Sequence, residues 1–233
     1  MPEANSDDAE GTRRKVPDRA ATTARPRRRQ ARGERRIAQI LDAAATVFST
    51  AGYTGASTNA IAREAGISPG TLYQFFPNKE AIAVELGDQL LRRWRATYGR
   101  ALTPAHLELP LEELLEAVLD PLIRFNHENP AFGVLMHGPD VPGKIAMDHA
   151  DLHSSLVPQV EGILSGYLSE ASPAEVSRIA RLAFATFKAG LDLTLSVEPD
   201  ERDAYITELK TLLFRYLQPL VEDCRTRPAS STF

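Results

Sequence analysis

Ser68, Gly70, Thr71, Tyr73 and Gln74, followed by Lys79, are the residues of this chain whose types and spacing suggest chemistry. Hydroxyls and an ammonium suit phosphate oxygens, a glutamine amide suits a base edge, and a glycine lets backbone come close to a partner. Presented from the first turn of one short helix, such a set fits the major groove of duplex DNA. Nothing comparable points to an enzyme. There is no phosphate-cradling glycine loop, no Gly-x-Ser-x-Gly elbow, and the lone Cys224 is not placed with a histidine for catalysis. No cofactor is expected.

The surrounding pattern supplies the elements that must hold these residues. Ile37, Ile40, Leu41, Ala44, Val47 and Phe48 recur at the three-and-four spacing of one buried helix face, and Gly52 marks its end. Ser57 caps a second, short helix through Ile61, Ala62 and Ala65. It is a simple cap, because Ala60 stands where a capping box needs Glu or Gln. Gly66 closes that helix, and Ser68-Pro69 opens a third, with Leu72, Phe75 and Phe76 facing inward. Pro77-Asn78 ends it, and Asn78 caps a longer fourth helix through Ile82, Leu86, Leu90 and Leu91. Two short helices joined by a glycine turn behind a longer one form a helix-turn-helix. Such pairs also occur in proteins that never meet DNA, and Tyr73 equally suits packing between helices.

The residue string narrows the choice. The marks are Phe48-x-x-x-Gly52-Tyr53, Ile61-Ala62, Ala65-Gly66-Ile67-Ser68, Gly70-Thr71-Leu72-Tyr73 and Phe76-x-Asn78-Lys79-Glu80. From Ile40 to Glu80 the chain closely resembles the TetR family of regulators. It departs modestly at Ala60, where the family often has an acidic residue. The resemblance implies that Ser57, Thr58 and Asn59 touch phosphates or bases, and that Thr71, Tyr73 and Gln74 lie in or beside the groove. It implies an all-α fold, with an N-terminal three-helix DNA-binding domain and a C-terminal helical domain for ligand binding and dimerisation. The implied function is a ligand-responsive repressor that binds a palindromic operator as a dimer and is released by a small-molecule effector.

Charge distribution agrees with a nucleic-acid partner although the net charge is −4. Residues 1–36 hold 11 Lys and Arg, Arg35 and Arg36 among them, against 6 Asp and Glu. With almost no large apolar residue before Ile37, this segment reads either as a solubilising tail or as an arm that neutralises phosphates. The expected organisation is a disordered basic arm at 1–32, a DNA-binding domain at 33–93, a helical body at 94–224 and a flexible tail at 225–233. No run of about 18 apolar residues suggests a membrane span, and the polar start lacks a secretory h-region, so a cytoplasmic protein is expected.

In the body, helices are expected at 111–127, 150–170, 174–197 and 201–223, with Asn129-Pro130 a break and Gly138 to Gly143 a loop. The last two helices carry more apolar width than one neighbour covers, which suggests a four-helix bundle formed with a second subunit. Trp94, Phe125, Phe132, Met136 and His137 are candidates for lining an effector pocket. So are Met147, His153, Tyr167 and Phe184; residues of these kinds at helical spacing also serve as plain core. His149 and His153 stand four apart near Asp148 and Asp151, yet lack the glutamate of a zinc-protease motif, and no metal is expected.

Overall fold

Ile40, Ala44 and Phe48 lie on one face of the first helix, α1 (Ala21–Gly55), and are fully buried as their spacing requires. The structure, a computed structural model, describes residues 21–101, 103, 106, 108–138 and 140–226. The side chains at 21–29, 137, 146, 148–153, 225 and 226 are outside that description. The chain divides at Gln39–Ile40 into two units. α1 begins at Ala21, inside the segment that the sequence reads as an arm; alanine, arginine and glutamine there are good helix formers. Residues 1–20 and the tail at 227–233 lie outside the described residues.

At Gly52 the helix breaks with φ 68° and ψ 170°, a combination that a side chain disfavours. α2 (Thr58–Glu64) and α3 (Pro69–Tyr73) follow, then α4 (Lys79–Ala101). Ile61, Ala62, Leu72, Ile82 and Ala83 from these three helices are fully buried. α3 is too short to persist by its own hydrogen bonds, so Leu72 and Phe76 must anchor it.

The body adds α5 (Leu111–Glu128), α6 (Pro130–His137), α7 (Gly143–Tyr167), α8 (Pro173–Ser196) and α9 (Pro199–Thr226). α4 packs on α5, α6 and α7; α8 lies between α7 and α9; and α5 touches α9. Two boundaries differ from the sequence reading. Pro130 starts a helix instead of merely ending one, because the first helical position needs no N–H. α7 starts at Gly143 and not near Ala150, since Ile145 is buried against α4 at Gly87. α8 starts as expected, with Ser172 and Glu175 forming a reciprocal capping box. Gly190 lets α8 and α9 meet closely, for a Cβ there would run into the Leu209 side chain.

His127, near the end of α5, stands 3.4 Å from the Thr194 hydroxyl. Burial, reinforced by the nearby Arg202 charge, lowers its pKa below the usual 6.5, with Asp203 partly opposing. The unfolded chain therefore binds the proton more readily, and stability falls as pH drops through 6.5 towards the folded-state value. We expect His127→Gln to flatten the dependence of Tm on pH between 7 and 5. An unchanged slope would remove His127 as its source.

Candidate nucleic-acid interface and internal cavity

The turn between α2 and α3 is built from local backbone chemistry. The Ile67 N–H donates to the Ala62 carbonyl (2.9 Å) and the Gly66 N–H to that of Arg63 (3.0 Å), a Schellman closure with Gly66 at φ 64°. Each short helix is capped by a serine: Ser57 accepts from the Ala60 N–H and Ser68 from the Thr71 N–H, both at 3.1 Å. Ser68 and Thr71 also join hydroxyls at 2.9 Å. Ser57 and Ser68 thus order helix starts, and only their remaining hydrogen-bonding capacity is open to a partner.

Tyr73 packs between helices, one of the roles that the sequence leaves open to it. The residue is 51% exposed, while its hydroxyl lies 3.0 Å from that of Thr58, tying the end of α3 to the start of α2. Asn59, Ser68, Gly70 and Gln74 are exposed, and Thr71 is half-buried. Thr58 and Asn59 open α2, while Ser68 and Gln74 are the two caps of α3 and Gly70, Thr71 and Tyr73 lie between them. Arg35 is exposed and half-buried Arg36 donates to Gln39 (2.8 Å), both within α1.

Lys79 departs from simple phosphate duty. Its ammonium donates to the carbonyls of Tyr53 (2.7 Å) and Thr54 (3.3 Å) and sits 4.5 Å from the Tyr53 ring centre. It therefore fastens the end of α1, beyond the break at Gly52, onto the start of α4, with one of three N–H donors left over. Burial, then the Glu80 charge, raises the Tyr53 pKa. Asn78 caps α4 as the sequence suggests, accepting from the Ala81 N–H at 2.8 Å.

Gly70 has no crowded neighbour: an added Cβ would meet only the Ser68 hydroxyl, at 3.9 Å. Nothing inside the protein demands glycine there. We expect Gly70→Ala to keep or raise stability, by up to about 1 kcal/mol, because alanine is the better helix former. DNA affinity should fall roughly tenfold, the cost of crowding a close-packed contact. Melting curves beside gel-shift titrations separate the two effects, and equal affinities would place the backbone of α3 away from DNA.

The body holds an apolar cavity, part of it open to solvent, walled by α4, α5, α7, α8 and α9. Trp94 and Phe184 line it, as does Tyr98, which the sequence reading passed over. The Tyr98 hydroxyl donates to the Leu156 carbonyl at 3.0 Å, and burial pushes its pKa upward. A second, smaller lobe shares Trp94, Leu156, Phe184 and Phe187 with the first and also touches Phe132. Phe125 and Phe132 stack against Trp94 with ring centres 5.2 and 5.5 Å away.

Other candidates lie apart. Met136 is buried but faces neither lobe, and Met147 is 68% exposed, which removes it from any internal wall. The Tyr167 hydroxyl is held by the carbonyls of His106 (2.9 Å) and Leu109 (2.6 Å), where it fastens the segment leading into α5. The side chains of His137, His149 and His153 lie outside the described residues. The missed cavity residues, such as Leu119, Leu164 and Phe187, sit on ordinary apolar stripes. No one-dimensional signal separates a stripe facing a neighbour from one facing a void.

Residues 40–86 match the model of the bacterial regulatory proteins of the tetR family, and residues 109–221 match that of the tetracyclin repressor-like C-terminal domain. The chain belongs to the TetR family. The family is one of DNA-binding transcriptional regulators. Among relatives of this TetR-family protein, the regulator UidR of Escherichia coli K12 is 37% identical over 99 residues, 41% of this chain and 44% of UidR. The regulator EthR of Mycolicibacterium smegmatis is 38% identical over 86 residues, 36% of this chain and 40% of EthR. The matched stretches thus span less than half the length of these curated relatives. A TetR-family regulator from Streptomyces coelicolor superposes with a TM-score of 0.50 at 27% identity, covering 79% of this chain and 99% of that one. A TetR-like regulator from Rhodococcus sp. RHA1 gives 0.60 at 22% identity, covering 78% and 96%, and shares the fold. Among the described residues no helix is long and apolar enough to cross a membrane.

Proposed function

We propose that this protein is a ligand-responsive repressor that binds a palindromic operator as a homodimer and releases it when a small molecule enters the body. The observation that carries this reading is the exposed polar face of α2 and α3 joined by α4 to a helical body with an apolar cavity. Gln74 reads a base edge, and Ser57, Thr58, Asn59, Thr71 and Tyr73 hold phosphates or flank the groove. Arg35, Arg36 and the remaining donor of Lys79 add phosphate contacts.

The dimer forms through α8 and α9. Leu182, Leu193 and Leu212 are about half exposed, and Tyr205 also stands outward, an apolar face that a second copy would cover. Twofold symmetry sets the two recognition helices about one DNA turn, roughly 34 Å, apart.

Release follows from the placement of α7. Leu156, Val160 and Leu164 of this helix line the cavity, while its first turn grips α4, with Ile145 against Gly87 and Lys144 paired to Asp88 at 2.8 Å. A ligand that prefers a shifted α7 moves α4 and with it the helix-turn-helix, to the extent of its differential affinity for the two states. Footprinting the purified dimer on the DNA upstream of its own coding region tests the reading. A protected inverted repeat is expected; no protection there and none in genome-wide binding, at low salt, would overturn it.

A further inference from the structure

The chemistry of the two lobes narrows the class of molecule that fits them. The larger lobe is walled by aliphatic and aromatic side chains, and its one hydroxyl, on Tyr98, is already engaged with the Leu156 carbonyl. A charged or strongly hydrated group placed there would lose its water without gaining a partner. The smaller lobe differs. Beside the shared Trp94, Phe184 and Phe187 it is lined by Lys188, Asp192 and Asn126. Asn126 donates its amide to the Leu122 carbonyl at 2.9 Å, and Asp192 is exposed and keeps its hydration. Lys188 is half-buried and makes no hydrogen bond or ion pair with any described residue. Among the described residues of that wall it is the one cation. From Ala183 to Leu195 the lobes follow one side of α8, about 18 Å of helix at 1.5 Å per residue.

We infer that the effector is an anionic amphiphile, its apolar body in the larger lobe and its acidic head on Lys188. This rests on the reading of the body as an effector domain and names the ligand class for it. An anion supplies the partner that half-buried Lys188 lacks among the described residues, in surroundings where such a pair is less screened than in water. A cationic head meets Lys188 as a like charge, and a neutral head leaves it unpaired.

Trp94, the single tryptophan of the chain, lines both lobes, so its emission reports occupancy of either. The probes are dodecanoate and dodecyltrimethylammonium, each below its micelle-forming concentration, and 1-dodecanol below its solubility limit, titrated into the full-length protein and into Lys188→Met. Dodecanoate is expected to saturate the Trp94 response and to bind tightest. Its affinity should fall roughly tenfold in Lys188→Met, whereas that of dodecanol stays unchanged. Lys188→Gln and a melting curve guard against misfolding as the cause. Dodecanol binding as tightly as dodecanoate, or an unchanged dodecanoate affinity in a folded Lys188→Met, would overturn the anionic head. No response to any probe would overturn the ligand class. Genome-wide DNA binding by the same preparation separates the failures. Sites occupied while the probes fail leave the repressor standing, and no sites with saturable dodecanoate binding remove the repressor but keep the cavity assignment.

Discussion

Leu193→Glu combined with Leu212→Glu is expected to give a folded monomer whose DNA affinity is about a hundredfold or more below that of the parent. Leu193 is 47% and Leu212 53% exposed, so each leaves about half of its surface uncovered by its own chain. They share a groove with Tyr205 along the junction of α8 and α9, beside the close approach of Gly190 to Leu209. Burying a leucine fully is worth about 1.5–3 kcal/mol, and a twofold interface counts each substitution twice. Glutamates there remove that gain and bring like charges together. A monomer also loses the linkage between half-sites, which multiplies affinity by about 10²–10⁴ when geometry allows both to engage. Sedimentation gives the oligomeric state and circular dichroism the helix content. A dimer that survives the double substitution would move the interface elsewhere.

Leu72→Ala acts on the opposite end of the mechanism. Leu72 is fully buried and is the principal anchor of α3, a helix of five residues. Truncating a buried leucine costs about 2–5 kcal/mol, and so short a helix has no reserve of its own. Specific DNA binding should disappear while α8 and α9 keep their protection from hydrogen exchange. The amides of Thr71, Leu72 and Tyr73 should exchange far faster than in the parent. Full retention of both protection and binding would mean that α3 does not depend on this anchor.

The helix-turn-helix was legible in the sequence because its determinants are local. Ser57, Ser68 and Asn78 cap the helices they precede, and Gly66 takes the positive φ that the turn needs. Each of these acts within a few residues of itself. Lys79 shows where such reading ends. Its type suggests a phosphate, but its partners are carbonyls 25 and 26 positions earlier, which only the closing of α1 onto α4 reveals. The cavity is less legible still. It is the gap left where five helices converge, and its walls are the apolar stripes that any packed helix shows. Trp94 and Phe184 line it, whereas Met147, a candidate on the same ground of residue type, is on the surface. The early starts of α6 and α7 were hidden for a related reason. Pro130 reads equally as an end or a beginning, and the first turn of α7 is helical because Ile145 finds Gly87.

Selection from random-sequence duplex DNA tests the central claim most directly, run in parallel with the parent protein and Gln74→Ala. The account predicts an inverted repeat for the parent, its half-sites centred about one helical turn or a multiple apart, with the preference at one position per half-site relaxed in the variant. A verified dimer that enriches no sequence at low salt, or an unchanged motif from Gln74→Ala, would contradict the assignment of α3 as the element that reads DNA.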